Sequence, residues 1–332
     1  MPRVITIIGA TGNQGGSAAH SLLQNPSFKI RTVTRNPSSD ASKALASAGA
    51  EVVQGNGFNH EEMLRAFEGA WGLYLNLNSD DEIWSNPNGP TEFDLGKSII
   101  DAAVQAGVPH LVYSSGPPCV EMTDGIVRMK AMEMKYKTEQ YAKESGKFQT
   151  VTPINAAWYL ENFLAKEIAP AFGGFPFFPD DEGYLSYKVP HWGGDNRVPY
   201  LSITDDYGDI VHGVFLDPTR WKGQVIQAMS DMITFDELAA NFEETTVTGK
   251  KSRFQPVLPS WEAYDTHGVP ELEDVKLMFG FTQITGGRYF GPEPSDIKVS
   301  KELKRATAKA LGKPEDEGTL KPSKEWFRSR FS

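Results

Sequence analysis

The first fifty residues alternate between a short apolar run, a cluster of glycines and a helical pattern. Residues 4–8 are β-branched and mostly apolar, and the run stops at Gly9, which is typical of a buried parallel strand. Beyond the glycines of residues 9–16, apolar side chains recur at helical spacing, at Ala18, Ala19, Leu22 and Leu23. The pattern therefore predicts a strand, a glycine-rich turn and a helix, in that order.

The alternation of strands and helices continues to about residue 153. Further strands are predicted over residues 29–34, 51–55, 72–77, 110–115 and 148–153, and helices over residues 41–48, 60–67, 91–106 and 130–144. Strands that alternate with helices need crossover connections, which make the strands parallel. We therefore predict an α/β fold with a doubly wound parallel sheet of the Rossmann type.

Beyond residue 165 the chain changes in character. Residues 169–200 are rich in glycine, proline and large aromatic side chains, which need either burial or a ligand. A helix is predicted after residues 201–210 and one more strand at residues 225–226, and the last hundred residues have a helical, charged pattern. These segments predict a second part of the molecule with a different architecture.

The two patterns divide the chain into parts of similar length. We expect residues 1–165 to form the Rossmann core, with residues 200–230 returning to it. Residues 166–199 and 231–332 are expected to form a smaller, mainly helical C-terminal lobe. The chain has 332 residues, of which 39% are hydrophobic, so it has enough apolar material for a sizeable core.

Charge and composition exclude several classes of protein. The net charge of −10, from 33 basic and 43 acidic residues, argues against direct binding to nucleic acid. Cys119 is the one cysteine, which excludes a disulfide scaffold and suits a reducing compartment. The six histidines lack metal-ligand spacing, so no metal is predicted. Because no apolar run approaches the roughly 20 residues of a membrane span, we expect a protein of the cytoplasm, with the nucleus as a further location.

Three glycines in the first turn have the spacing of a dinucleotide-binding loop. Gly9, Gly12 and Gly15 stand between the first predicted strand and helix. In such a loop one glycine permits a tight turn, another lets the backbone approach a pyrophosphate, and a third allows close packing of helix on strand. The amide groups and dipole of the helix then face the phosphates. The sequence therefore predicts a bound dinucleotide.

Arg35 indicates which dinucleotide is bound. An NAD-selective site places an acidic residue on the ribose hydroxyls about 20 residues beyond the loop. This chain has Arg35 there, at the end of the second predicted strand. A guanidinium matches a 2′-phosphate with two parallel hydrogen bonds, so NADP(H) is favoured over NAD(H).

Several longer stretches occur in an order that identifies a family. They are ITIIGATGNQGG, RTVTRNP, AEVVQGN, EFDLGKSIIDAAVQAGVPHLVYSS, KTEQYAKESG and WYLENFL. Together they resemble the NmrA-like family of atypical short-chain dehydrogenases, and the resemblance extends over nearly the whole chain. It implies an NADP-binding core with a smaller C-terminal lobe.

The resemblance also implies the contacts of the cofactor. It implies that the 2′-phosphate lies at Arg35 and the pyrophosphate along Thr11, Gly12, Asn13, Gln14 and Gly15. The resemblance places four further residues near the cofactor: Asn56, Asn78, Tyr159 and Asn162. Asn56 stands where the family usually has aspartate, which removes a charge near the adenine edge.

An active short-chain dehydrogenase usually carries Tyr-x-x-x-Lys on one face of a helix, where the tyrosine transfers a proton. Here the lysine is retained as Lys135, but Ala131 stands in the place of the tyrosine. Tyr136 lies on a different face of that helix, about 100° away. The usual proton donor is therefore missing.

Two hypotheses follow from the missing tyrosine. In the first, Lys135 only clamps the nicotinamide ribose and the protein senses the cofactor, as redox-sensing regulators of the family are taken to do through protein partners. In the second, Lys135 is the general acid/base of an NADPH-dependent reductase resembling isoflavone reductase, or the enzyme is redox-neutral. Ser114 would orient a carbonyl, and the aromatic residues of 172–192 would line a pocket for a hydrophobic small molecule. The absence of the tyrosine favours the sensor slightly.

Overall fold

A computed structural model describes residues 1–266 and 268–331. His267 and Ser332, which belong to the predicted C-terminal lobe, lie outside the described residues. Twelve strands run through the described residues: β1 (Arg3–Ile8), β2 (Phe28–Thr34), β3 (Glu51–Gln54), β4 (Ala70–Leu75), β5 (His110–Ser114), β6 (Thr150–Ala156), β7 (Trp158–Tyr159), β8 (Leu185–Val189), β9 (Val198–Leu201), β10 (Ile226–Ala228), β11 (Asp231–Ile233) and β12 (Ser252–Pro256).

Helices connect most of these strands and make up much of the C-terminal part. They are α1 (Asn13–Leu23), α2 (Asp40–Ser47), α3 (His60–Phe67), α4 (Glu92–Gln105), α5 (Cys119–Met122), α6 (Lys130–Ser145), α7 (Gly208–Leu216), α8 (Phe235–Thr245), α9 (Pro270–Ile284), α10 (Lys298–Ala310) and α11 (Ser323–Phe331). Short 3₁₀ turns occur at Glu82–Ser85 and Leu160–Leu164, and a π-helical turn at Ile203–Tyr207 precedes α7.

Seven parallel strands form the central sheet, in the order β10-β6-β5-β4-β1-β2-β3. From β1 the chain adds β2 and β3 on one side, and then β4, β5, β6 and β10 on the other. The predicted doubly wound α/β fold is therefore confirmed. In such a sheet the crevice outside the carboxyl ends of the strands, where the order reverses, is the usual ligand site. Here that point lies between β1 and β4.

Two predicted strands are displaced along the chain. The strand predicted over residues 72–77 runs from Ala70 to Leu75, because its neighbour β1 ends at Ile8, where Gly9 turns the chain away with a φ of +84°. The strand predicted over 148–153 runs from Thr150 to Ala156, since β10 pairs with its second half. Distant pairing partners, which the local pattern does not contain, set these ends.

The C-terminal part contains two small sheets, β11-β9-β7 and β12-β8, together with helices α8–α11. An aromatic core joins them. The rings of Trp158 and Trp192 stack with centroids 6.0 Å apart, and Phe172, Phe175 and Tyr187 are buried in the same cluster. These residues of 172–192 therefore pack on one another and do not form the pocket that we expected them to line.

A buried ion pair ties α10 to the π-helical turn. Lys304 donates to the carboxylate of Asp206 and to the carbonyl of Asp205 at 2.8 Å, and the Lys321 amide donates to Asp206 at 2.9 Å. Asp206 is fully buried, and this burial raises its pKa although Lys304 opposes the shift. The pair holds the C-terminal helices on the Rossmann part.

Replacement of Lys304 by methionine should destabilise the fold strongly. Lys304→Met leaves the Asp206 carboxyl buried without its cation, so the free energy of unfolding in urea should fall by about 3–5 kcal/mol. Lys309→Met, at an exposed position of the same helix, should change it by less than about 0.5 kcal/mol. Equal effects of the two substitutions would contradict this role of the pair.

Candidate dinucleotide-binding site

A cavity of about 840 Å³ opens at the point where the strand order reverses. Its walls are the segments that follow β1, β2, β3 and β4, together with side chains of α4 and α6. The predicted site residues that line it are Gly9, Thr11, Gly12, Asn13, Gln14, Arg35, Asn56, Asn78, Lys135 and Tyr159. The fold thus brings together residues that are up to 150 positions apart in the chain.

The glycines allow the loop after β1 to fold closely. A Cβ on Gly9 would lie 2.5 Å from the Asn76 carbonyl oxygen, and one on Gly15 would lie 2.2 Å from the Gly9 carbonyl oxygen. Gly15 is buried and does not line the cavity, so it serves helix packing. A Cβ on Gly12 would be 3.5 Å from Gly9, in ordinary contact.

The first turn of α1 is an anion-binding end. Gly12 is its N-cap, no side chain caps the helix, and its first turn holds no acidic residue. The first amide groups of a helix have no intrahelical partner, and the helix dipole places partial positive charge there. This end of α1 borders the cavity and fits a pyrophosphate.

Gln14 is the centre of a buried polar network. Its side-chain oxygen accepts hydrogen bonds from Ser114 at 2.6 Å, Tyr207 at 3.0 Å and Tyr74 at 3.2 Å. Its amide nitrogen donates to the hydroxyl of Tyr159. Tyr74 and Tyr207 were not predicted, and no local spacing indicates them, because they lie 60 and 193 residues from Gln14.

Lys135 is held by a carboxylate at the floor of the cavity. Its ammonium donates to Glu92 at 2.8 Å and to the Leu77 carbonyl at 2.9 Å. The Lys135 side chain is 12% exposed and that of Glu92 only 4%. Glu92 lies in the first turn of α4 and was not among the predicted site residues. The two hydrogen bonds therefore fix the position of the ammonium group.

Arg35 lies at the outer edge of the cavity. Its side chain is 67% exposed and donates to the Asp81 carboxylate at 2.7 Å. Burial alone would raise the pKa of Asp81, but hydrogen bonds from Arg35 and from the Ile83 amide outweigh it and lower the pKa. Asp81 is a second charged residue of the site that was not predicted.

Asn56 and Asn78 each form hydrogen bonds within the loop that carries them. Asn56 is exposed, and its side chain accepts from the Phe58 amide at 3.1 Å. Asn78 is also exposed and accepts from the Asp80 amide at 3.2 Å, while its carbonyl accepts from the Trp84 ring at 2.8 Å. Both therefore fix the backbone that borders the cavity.

Two further candidates are not brought to the cavity. Ser114 is 2% exposed, and its hydroxyl is engaged by Gln14. Asn162 lies half-buried in the turn Leu160–Leu164 and is not among the lining residues.

Cys119 is buried in α5, and burial raises the pKa of its thiol to about 12. Its thiol therefore stays protonated at neutral pH.

Metal-binding clusters and membrane-spanning helices are absent from the part of the chain that the structure describes. Within residues 1–266 and 268–331 there is no cluster of three or more His, Cys, Asp or Glu side chains that could hold a metal ion. No helix in these ranges has both the length and the apolar character to span a membrane.

The family follows from comparison with known proteins. A model of the NmrA-like family matches residues 1–310. This chain belongs to the NmrA-like family. The predicted resemblance is thereby confirmed. The NmrA-like family domain-containing oxidoreductase FrzB of Cladobotryum sp is 67% identical, with 100% of this chain and 99% of FrzB covered. The corresponding oxidoreductase lnaB of Aspergillus flavus is 61% identical, with 99% and 98% covered.

Solved structures have the same fold. NmrA, a negative transcriptional regulator in complex with NADP, superposes with a TM-score of 0.71 at 18% identity, over 99% of this chain and 95% of NmrA. The NADPH-dependent quinone oxidoreductase of Escherichia coli, complexed with NADPH, gives 0.67 at 21% identity, over 99% and 100%. At these identities the likeness establishes the NmrA-like fold and no more.

Two glycines of this NmrA-like loop should respond differently to alanine. Gly15→Ala forces a methyl group against the Gly9 carbonyl, so the free energy of unfolding should fall by about 1–3 kcal/mol. Gly12→Ala meets only an ordinary contact and should change it by less than about 0.5 kcal/mol. Urea unfolding of both variants tests this. A Gly12→Ala variant as unstable as Gly15→Ala would contradict the packing described for the loop.

Proposed function

We propose that this NmrA-like protein is an NADPH-dependent oxidoreductase that acts on a small organic substrate. The observation that carries the proposal is the Tyr159 hydroxyl, which borders the cavity and whose proton no described residue accepts. The oxidoreductases FrzB and lnaB, at 67% and 61% identity, support the same class. The NADP and NADPH complexes of the structural neighbours support the cofactor.

The residues of the cavity fit the cofactor that this function needs. The backbone at Gly12 and Asn13 and the open end of α1 would take the pyrophosphate. Arg35 would take the 2′-phosphate, and the loops at Asn56 and Asn78 would border the adenosine. When bound, NADPH supplies a hydride. The glycine contacts described above support this fit, because the loop is packed too closely for side chains at Gly9 and Gly15.

Tyr159 is our candidate for the proton donor. A tyrosine hydroxyl has one proton to donate and can also accept hydrogen bonds. Gln14 donates to the oxygen of Tyr159, and no described residue accepts its proton. Burial raises the pKa of Tyr159, although the hydrogen bond from Gln14 lowers it. The hydroxyl is therefore protonated at neutral pH and free to donate towards a substrate in the cavity.

Lys135 has a different part in this proposal. A lysine that acts as general acid/base must lose its proton during the reaction. Lys135 donates to Glu92 at 2.8 Å and to the Leu77 carbonyl at 2.9 Å, so two of its three N–H groups are already engaged by protein acceptors. We therefore assign Lys135 the positioning of the cofactor's ribose and leave Ser114, whose hydroxyl is engaged by Gln14, out of the chemistry.

A redox-sensing regulator that acts through protein partners stays the second candidate. One observation favours it. Ala131, the second residue of α6, has no side-chain proton to donate, so this helix lacks the Tyr-x-x-x-Lys pair that is usual in short-chain dehydrogenases. Such a protein would bind the cofactor without turnover, and its net charge of −10 would direct it to protein partners instead of DNA. A redox-neutral enzyme that retains its cofactor is a third hypothesis.

The cofactor assignment predicts a preference for NADPH over NADH. Arg35→Ala should weaken NADPH binding about tenfold or more, because a charge-assisted hydrogen bond contributes about 1.5–3 kcal/mol. NADH binding should change by less than about twofold. Fluorescence titration measures both constants, with Arg65→Ala, an exposed arginine outside the cavity, as the control. Equal affinities of the unmutated protein for the two nucleotides would refute the role of Arg35.

The proton-donor assignment predicts a loss of turnover without a loss of cofactor. Oxidation of NADPH is followed at 340 nm with a panel of carbonyl compounds, enones and quinones. Tyr159→Phe should lower kcat about 100- to 1,000-fold, the usual share of a general acid, while NADPH binding stays within about twofold. Tyr136→Phe, beside Lys135 on α6 but outside the cavity lining, is the matched control.

Three results decide between the hypotheses. Full turnover by Tyr159→Phe would contradict the assignment of the proton donor. Turnover that is retained in Tyr159→Phe but lost in Lys135→Ala would favour the lysine as acid/base. Tight binding of NADPH without turnover of any member of the panel would favour the regulator.

A further inference from the structure

The two cations that line the cavity are each paired with a carboxylate. Among the described residues that line it, the cations are Arg35 and Lys135. Lys135 faces Glu92 at 2.8 Å and Arg35 faces Asp81 at 2.7 Å, so each cation has its own carboxylate. A phosphate that approaches Arg35 therefore meets a guanidinium that is already paired with a carboxylate.

Asp81 is held in place at the mouth of the cavity. One of its carboxylate oxygens accepts from the Ile83 amide at 3.2 Å and begins the turn Glu82–Ser85. The other accepts from Arg35 at 2.7 Å. The same loop is fixed by the Trp84 ring, which donates to the Asn78 carbonyl. The carboxylate thus bridges from the loop after β4 to the end of β2, and its side chain is only 17% exposed.

The pair affects the two nicotinamide dinucleotides in opposite ways. A 2′-phosphate is doubly charged near neutral pH, so it must displace the carboxylate from Arg35 or lie beside it at a cost in repulsion. NADH has a hydroxyl at this position, and a carboxylate is the group that accepts a hydrogen bond from it in NAD-selective sites. Asp81 supplies such a carboxylate from an unusual place, the loop after β4.

We propose that Asp81 sets the cofactor selectivity of this protein. By holding Arg35 it weakens the binding of the 2′-phosphate, and by offering an acceptor it retains NADH as a usable ligand. The preference for NADPH is therefore moderate in the unmutated protein. This inference rests on the proposed binding of NADP(H) in the cavity and adds a residue that limits its selectivity.

The test removes the charge and keeps the shape. Asp81→Asn retains a side-chain oxygen for the Ile83 amide, so the turn should persist, and Asp81→Ser is a second variant with the same property. The probes are 2′,5′-ADP and NADPH, which carry the 2′-phosphate, and 5′-AMP and NADH, which lack it. Isothermal titration measures all four dissociation constants.

Both variants should bind 2′,5′-ADP and NADPH about three- to tenfold more tightly than the unmutated protein, because a partly exposed charge is removed from beside the phosphate. The binding of 5′-AMP and NADH should be unchanged or weaker by up to about threefold. The gain should shrink between low and high salt, since exposed charges are screened.

Glu82→Gln is the matched control. It removes the adjacent charge of the same turn but neither pairs with Arg35 nor lines the cavity. It should leave all four constants within about twofold. An unchanged ratio of NADPH to NADH affinity in both Asp81 variants, or an equal gain in Glu82→Gln, would overturn the role of Asp81 alone. If the unmutated protein bound none of the four probes, the proposed function would fail as well.

Discussion

The hydrogen bonds of the Gln14 side chain are the constraint on which the site depends. They join α1 to Tyr74 of β4, Ser114 of β5, Tyr159 of β7 and Tyr207 of the π-helical turn. A buried amide must satisfy both its donors and its acceptor, because an unpaired buried polar group costs about 1–3 kcal/mol. The network therefore fixes the Rossmann loop relative to the later segments. It also determines how the hydroxyl of Tyr159 is presented to the cavity.

This arrangement separates the tasks that a short-chain dehydrogenase usually assigns to one helix. Lys135 stays on α6, where Glu92 holds its ammonium group. In our proposal the proton comes from Tyr159 in β7, which lines the same cavity. The missing tyrosine at Ala131 is then no obstacle to catalysis, because the fold brings a different hydroxyl to the same cavity. Charge pairing recurs at the other end, where Asp81 holds Arg35. Each cation of the site is thus fixed by a carboxylate from a neighbouring loop or helix.

The sequence predicts the parts of this structure that depend on local chemistry. Helix α3 has the predicted bounds, and α4 lies one residue inside the prediction at each end because Thr91 and Ala106 are its caps. The glycine loop and its place between β1 and α1 were likewise predictable from spacing. The ends of β4 and β6 were not, since they depend on the extent of the neighbouring strands.

The partners of the site residues were beyond prediction for the same reason. Glu92 is 43 residues from Lys135 and Asp81 is 46 residues from Arg35, and no short-range pattern links them. The aromatic residues near 172–192 illustrate the opposite error. Their composition fits a ligand pocket and a packed core equally well, and only the tertiary structure distinguishes the two.

A crystal structure with NADP⁺ bound tests the central claim most directly. We predict the pyrophosphate at the first turn of α1, the 2′-phosphate beside Arg35, and the nicotinamide ring next to the Tyr159 hydroxyl, with Gln14 still donating to that hydroxyl. A nicotinamide ring that lies away from Tyr159, or a Tyr159 hydroxyl that turns to donate to a protein group, would contradict it.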